Sequence, residues 1–316
     1  MEPDSVVVTG IGMVTPLGAT ARESGDAWRA GLSARRAPLP ELAGRIERAE
    51  AAVTPQFDPA QRLGSSRMLK YMSDAAVLGC VAAREAAQEA DLRRRFTPER
   101  VGLYAATGLA AAAINEALPM ITQSIDESGR FSCRLLGESG LAAANPLLSF
   151  KILANMPPCI VSIQENIKGP NYIFTPWEGQ AAAALTEAWT ALRRGEVDCA
   201  LTGAADSASH PATFVYLRQS GLLRQDEYPA SAAAYLVMER ADTARRDGKR
   251  VYAHVENMEL HNSDRPVNDP LSARMGRSFA AAPAVLVALA CHFTDRPITM
   301  TGADGQEFHA VLRRAG

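Results

Sequence analysis

Cysteine and histidine are scarce in this 316-residue chain, with five of each. The cysteines (Cys80, Cys133, Cys159, Cys199 and Cys291) are odd in number and scattered, and none belongs to a Cys-x-x-Cys pair or lies beside a histidine cluster. A disulfide frame and a zinc site are therefore not expected, and reduced thiols point to a cytoplasmic protein. An excess of charge is lacking too. The 33 Lys and Arg nearly balance 35 Asp and Glu, for a net charge of −2, so bulk electrostatics favour neither nucleic acid nor a membrane surface. No stretch approaches the roughly 20 apolar residues that a membrane span takes. The N-terminus runs almost at once into a strand pattern, without the charged and apolar regions of a signal peptide. Phosphate loop, metal-ligand spacing and haem motif are all missing, and no cofactor is expected.

What is present is 47% hydrophobic residues, enough for the core of one large domain or of two smaller fused ones. Residues 5–9 read as a β-branched strand leading into a turn at Thr9-Gly10-Ile11-Gly12. Met-Val-Thr-Pro follows where a dinucleotide fingerprint would open a helix, so that reading is rejected. Thr20 and Glu23 are spaced as a capping box, with Gly31 where the helix should end. Loops and short strands are expected over 32–60, which holds Pro38, Pro40, Pro55 and Pro59. A long helix is expected over 65–90, with Met68, Met72, Ala75, Ala76, Gly79 and Ala83 on one stripe. Val101–Thr107 reads as a strand with a helix after Gly108, and the polar, glycine-punctuated residues 124–144 as a loop excursion.

The sharpest local signal lies further on. Lys168-Gly169-Pro170-Asn171 and the apolar Tyr172-Ile173-Phe174 lead through Thr175-Pro176-Trp177 to Glu178-Gly179-Gln180 and an alanine-rich run ending near Gly195. The pattern predicts strand, sharp elbow and helix, with Glu178 presented at the helix N-terminus. A strand at 197–202 then runs into Gly203-Ala204-Ala205-Asp206. Further strands are expected at 232–239 and 251–256, with a helix between them.

Together with Val6-Val7-Val8-Thr9-Gly10-Ile11-Gly12-Met13-Val14-Thr15-Pro16-Leu17-Gly18, these motifs resemble the β-ketoacyl synthases, the thiolase-fold condensing enzymes of fatty acid and type II polyketide assembly. The resemblance covers residues 5–256 well and 272–314 more loosely. It implies an α/β fold in which two similar halves pack as a five-layer αβαβα sandwich. Here the halves would be 1–228 and a much shortened 229–316, the second opening with the strand at 232–239. The segment from Asn145 to Pro158 resembles one close to the family's dimer interface, which puts Leu147, Leu148, Ile152, Asn155 and Met156 at an expected interface.

A condensing synthase needs a thiolate to hold the acyl group and two histidines to polarise the malonyl thioester and stabilise its enolate. Counting from Asn171, the resemblance puts Glu178 in the cysteine's place and Arg277, in Arg274-Met275-Gly276-Arg277, in that of one histidine. The other histidine's Ala-His-Gly-Thr motif is missing, and His261 reads as a surface or strand-edge residue. The family's Gly-Glu-Gly-Ala-Gly falls on Ala230-Ser231-Ala232-Ala233-Ala234, and the gatekeeping phenylalanine of Gly-Phe-Gly-Gly on Ala303. Changes at Glu178, Arg277, Ser231 and Ala303 strike catalytic parts while scaffold motifs persist, so no catalytic residue is assigned. The resemblance then implies a non-condensing, chain-length-factor-like subunit. Such a subunit pairs with an active ketosynthase as a heterodimer and shapes its acyl pocket, with an acyl carrier protein as a further partner. Two enzymatic alternatives stay open: decarboxylation of a malonyl carrier protein, and other acyl-carrier chemistry with Glu178 as general base. Beside them stands a plainer one, in which Glu178 offsets the helix dipole or forms a buried pair with Arg277. Arg62, Arg67, Lys70, Arg193 and Arg194 read as solvated helix ends or a carrier-protein patch.

Overall fold

The computed structural model describes residues 5–109, 114–293 and 297–315. Its strands are β1 (Val6–Val14), β2 (Arg36–Pro38), β3 (Glu50–Ala52), β4 (Val101–Thr107), β5 (Asn171–Phe174), β6 (Cys199–Ser207), β7 (Ser231–Arg240), β8 (Ala253–Asn262), β9 (Ile298–Thr301) and β10 (Gln306–Arg314). β2 and β3 form a separate hairpin, and the other strands make one eight-stranded sheet in the order β5-β4-β6-β7-β1-β8-β10-β9. β4 runs parallel to both β5 and β6, and every other pairing in this sheet is antiparallel. The principal helices are α1 (Ala21–Arg29), α2 (Asp74–Glu89), α3 (Ile114–Thr122), α4 (Met156–Glu165), α5 (Glu178–Arg193), α6 (Ala241–Arg246) and α7 (Ala282–Phe293).

Side-chain size and polarity decide where the helices lie. α7 is apolar on every side, with Ala282 through Cys291 buried, and such a helix must be covered all round. α5 presents Ala181, Ala182, Ala184, Ala188 and Ala191 as buried small residues, which lets layers approach it from both sides. Accordingly α2 and α4 cover one face of β4, β6, β7 and β1, while α5 and α7 cover the other. The β8-β10-β9 leaf folds over the far side of α5 and α7. This is the thiolase-like layering that the sequence leads one to expect, with a difference at its outer edge. Among the described residues, α5 and α7 are the helices packed along the β8-β10-β9 leaf, and four of the five expected layers are present. The leaf's outer face is instead polar. Glu256 pairs with Arg313 at 2.9 Å, Glu259 and His261 are exposed, and Glu307 accepts bonds from Ser263 and Arg265 at 3.0 Å each.

The two ends of the sheet differ. β5 is an edge whose outer side no described strand pairs, whereas Asn268 and Thr301 exchange backbone bonds of 2.9 and 3.0 Å along β9.

Several local expectations are corrected. β7 sits between β6 and β1, antiparallel to both, so the strand read as opening the second half lies among strands of the first. The long helix expected over 65–90 begins only at Asp74, because the Ser73 hydroxyl accepts the Ala76 N–H and caps it there; 69–71 is a single tight turn. The expected loop 124–144 contains short helical turns at Cys133–Leu135, Leu136–Gly140 and Leu141–Ala143. Of the helix expected after Gly108, residues 110–113 lie outside the described residues. The Gly10–Gly12 turn is no turn: β1 continues to Val14 with a bulge between Val8 and Gly10. The glycines serve close approach instead, since a Cβ on Gly12 would stand 1.9 Å from the Ala82 carbonyl oxygen and one on Gly10 2.3 Å from that of Ala86.

Gly12→Ala therefore forces β1 away from α2, and a loss of about 1–3 kcal/mol is expected in urea unfolding followed by circular dichroism. Gly137→Ala, where an added Cβ meets nothing within 4 Å, should leave the midpoint nearly unchanged.

Candidate functional site

The elbow lies where β5 ends at Phe174 and α5 starts at Glu178, with Trp177 as an N-cap that offers no side-chain bond. A helix start without its own cap needs acceptors from elsewhere. Asp304, in the turn between β9 and β10, supplies one: the Gly179 N–H donates to its Oδ2 at 2.7 Å. Glycine makes this docking fit. A Cβ on Gly179 would lie 2.6 Å from Asp304 Oδ2, and one on Gly302 2.9 Å from the Glu178 Cβ.

Glu178 and Arg277 meet. Arg277 Nη2 donates to Glu178 Oε1 at 2.6 Å, and both residues are 2% exposed. The arginine is held by its own backbone, which donates to the Tyr228 carbonyl (2.9 Å) and accepts from the Ala230 N–H (2.8 Å). Its guanidinium lies 4.6 Å from the Phe279 ring centre. Phe279 is fully buried with φ at +37°, a left-handed conformation that costs a non-glycine residue about 1–2 kcal/mol and that surrounding packing must offset.

More acid than base is gathered here. Glu227 and Asp269 stand 3.6 and 3.9 Å from the same guanidinium. Asp206, at the end of β6, accepts the Ala280 N–H at 3.1 Å, and only the absence of a side chain at Gly108 leaves room for its carboxyl. Burial pushes the Glu178 carboxyl up while Arg277 pulls it back. Burial also pushes Asp206 well above the carboxylate range and Asp269 up to about 6. Glu178 Oε2, Asp206 Oδ1 and Asp269 Oδ2 are buried without a hydrogen-bond partner among the described residues.

Chemically the site is closed from both directions. The arginine occupies one Glu178 oxygen, and the chain's own Asp304 fills the helix amide that would otherwise stabilise an oxyanion. No thiol is at hand. Cys80, Cys199 and Cys291 are buried with their thiols pushed up by desolvation; Cys133 belongs to a short helical turn and Cys159 to α4.

The remaining expected positions are distributed. Ala303 is half-buried in the turn that docks on α5. Ser231, the first residue of β7, exchanges a hydrogen bond with the Ser209 hydroxyl and lines a separate cleft of about 570 Å³ with Val53, Phe57 and Leu78, so it is not part of the ion-pair cluster. His261 is exposed near the end of β8, with its Nε2 3.7 Å from Glu307 Oε1. Of the expected interface residues, Ile152 and Asn155 are exposed and Leu147 and Met156 half-buried. Leu148 is buried within its own chain, so it has no surface to give; Phe150 and Leu153 are exposed instead. Sequence reasoning missed Glu227, Asp269 and Asp304 as site residues. Asp269 precedes Pro270 and Asp304 precedes Gly305, contexts in which an acidic side chain ordinarily marks a solvated turn.

Removing one partner of the pair should expose its cost. Arg277→Met, which leaves Glu178 buried and unpaired, is expected to lose about 3–5 kcal/mol in urea unfolding, and adding Glu178→Gln should recover part of it. Asp269 holds its proton in the fold up to about 6 instead of 3.8, so its contribution is complete at low pH and is lost as pH rises through 6. The stability difference between the native chain and Asp269→Asn should therefore shift against the native chain between about pH 4 and 6.

Comparison with known proteins bears on this geometry. Residues 3–236 match the family described as Beta-ketoacyl synthase, N-terminal domain. The tetracenomycin polyketide synthase ketoacyl synthase beta subunit of Streptomyces glaucescens is 28% identical over 274 residues, covering 80% of this chain and 63% of that protein. The 3-oxoacyl-acyl-carrier-protein synthase 2 of Coxiella burnetii is 25% identical over 277 residues, covering 81% and 62%. This chain thus spans less than two thirds of the length of these relatives. Among solved structures, the ishigamide ketosynthase/chain length factor matches with a TM-score of 0.79 at 19% identity, covering 99% of each chain. A type II PKS acyl-carrier protein in complex with its ketosynthase matches at 0.78 and 15%, covering 98% of this chain and 99% of that one. Those likenesses show a thiolase-like fold, and with the match over residues 3–236 the chain belongs to the β-ketoacyl synthase family.

Proposed function

We propose that this chain is a non-condensing ketosynthase-like subunit, similar to a chain length factor, that pairs with an active ketosynthase and shapes its acyl pocket. The observation that carries the reading is the closed elbow. At the helix start where a condensing enzyme needs a nucleophile and an oxyanion site, Glu178 is locked to Arg277 and the Gly179 amide is taken by Asp304. An acyl-glutamate would in any case be an anhydride, open to hydrolysis. The named relatives point the same way, one being a beta subunit and another a ketosynthase/chain length factor. A carrier protein is the further partner, as in the matched ketosynthase complex.

Pairing would use the β5 edge. Tyr172 on this strand is 50% exposed, and Ile152 and Leu153 are 49% and 50% exposed, giving apolar area beside unpaired backbone groups. Edges of this kind are ordinarily covered in the working assembly. A second reading, decarboxylation of a malonyl carrier protein, draws on the upward push that burial gives the Glu178 carboxyl, since only its protonated form donates to an enolate. The guanidinium at 2.6 Å opposes that form.

Expressing the chain alone and together with an active ketosynthase, then measuring mass in solution and carbon dioxide release from malonyl carrier protein, tests both readings. A one-to-one complex, with no release by the lone chain, is the expected result, and Ile152→Asp with Leu153→Asp should dissociate the complex. A lone chain that releases carbon dioxide and loses that activity in Glu178→Ala would overturn the subunit reading in favour of the second.

A further inference from the structure

The cleft beside Ser231 plays no part in the reading above. It opens between the β2–β3 hairpin and the start of α2, with Val53, Phe57, Val77 and Leu78 among its walls. Backbone bonds fix its frame. β2 and β3 pair from Arg36 with Ala52 to Pro38 with Glu50, the Ala52 N–H donates to the Pro229 carbonyl at 2.9 Å, and the Thr54 hydroxyl donates to the Ser231 carbonyl at 3.0 Å. A cleft of about 570 Å³ held in this way is preformed and has the size of a small-molecule site.

Charge narrows the ligand. Among the described residues no lysine, arginine or histidine lines the cleft, and Arg36 on β2 is committed to the Tyr228 ring, 3.7 Å from its centre. An anion would find no partner here. A cation would, because Asp74, the first residue of α2, lines the cleft from an exposed position and makes no hydrogen bond or ion pair with a described residue. The walls supply flat faces: Pro38, Pro55 and Pro59 are rigid rings, and half-buried Phe57 has no ring or cation stacked on it among the described residues.

The inner end carries a surplus donor. Ser231 is 8% exposed and Ser209 half-buried, and their hydroxyls bond each other. Two hydroxyls carry two protons, and the mutual bond uses one of them. The Ser209 N–H arrives as a further donor, 3.3 Å from Ser231 Oγ. One hydroxyl proton is therefore left without a described acceptor, whichever serine holds it, and an oxygen on a ligand would take it.

We propose that this cleft binds an arylalkylamine carrying an oxygen on its ring. The ammonium pairs with Asp74 at the mouth, the ring lies against Phe57 and the prolines, and the ring oxygen accepts the spare proton of the Ser209–Ser231 pair. Each end of such a ligand meets a group that the chain itself leaves unmatched, and the body between them is apolar like the walls.

Isothermal titration calorimetry on the full chain at low salt tests this with three probes that differ by one feature each: 4-methoxyphenethylamine, phenethylamine and 3-(4-methoxyphenyl)propanoate. One saturable site is expected for the methoxy amine, with phenethylamine weaker and the carboxylate weakest. Asp74→Asn should weaken the methoxy amine about tenfold and move the melting temperature by no more than about 3 °C. Glu127→Gln, which changes an exposed carboxylate elsewhere, should leave binding intact. Ser231→Ala should bring the two amines to equal affinity, and unchanged phenethylamine binding in that variant reports that the cleft is still formed. Absence of a saturable site, a carboxylate that binds as tightly as its amine, unchanged affinity in Asp74→Asn, or a methoxy preference that survives Ser231→Ala would each overturn the proposal. Ser231 is not part of the ion-pair cluster, so any of these results leaves the subunit reading standing.

Discussion

A carboxylate and a guanidinium withdrawn from water near the centre of the molecule set the terms for everything around them. Each alone would cost several kcal/mol to bury, and together they are tolerable only if held at contact distance. That demand reaches far along the chain. It fixes the segment around Tyr228 and Ala230 against Arg277, presses Phe279 into a left-handed backbone, and draws the β9–β10 turn onto the start of α5. Four separate stretches are thereby tied to one bond of 2.6 Å. The stability they gain is modest, but the arrangement they fix is specific, because any shift of one stretch leaves a charge stranded.

Buried acid beyond what one arginine can neutralise gives the same region its second character. Asp206 and Asp269 are kept where water would have ionised them, and the cluster is best satisfied when it carries protons. In a working synthase an environment of this polarity would serve chemistry. Here it surrounds a side chain that is already bonded to Arg277.

The scaffold was largely legible because its signals are local. A β-branched run marked β1, the run from Val101 to Thr107 marked β4, and alanine after a Glu-Gly elbow marked α5. The Glu178–Arg277 contact joins residues far apart in sequence, and it was anticipated only because a family resemblance put both on one site. What stayed hidden depends on partners that periodicity cannot name. Gly10 and Gly12 read as a turn because the helix backbone packed against them is 70 residues away in sequence. Asp304 and Asp269 read as solvated turns because nothing local tells a capping carboxylate from an exposed one. Leu148 looked like surface from its neighbours, yet it folds inward. The absence of an outer helical layer among the described residues was half-visible: the resemblance implied a shortened second half, but the ion-paired finish of the β8-β10 face needed the register of both strands.

The contrast between the two ends of the sheet bears on how large an assembly can grow. Filaments need two adhesive ends on each unit, so that every contact made leaves another free. At β9 the Asn268–Thr301 bonds already use edge groups, and the neighbouring outer face of the leaf is ion-paired and polar, leaving little apolar area to bury. Among the described residues, the β5 end alone combines open backbone with apolar side chains. Pairing through β5, as proposed, would take up that one adhesive end, so such an assembly would stop at a closed pair and not extend into a filament.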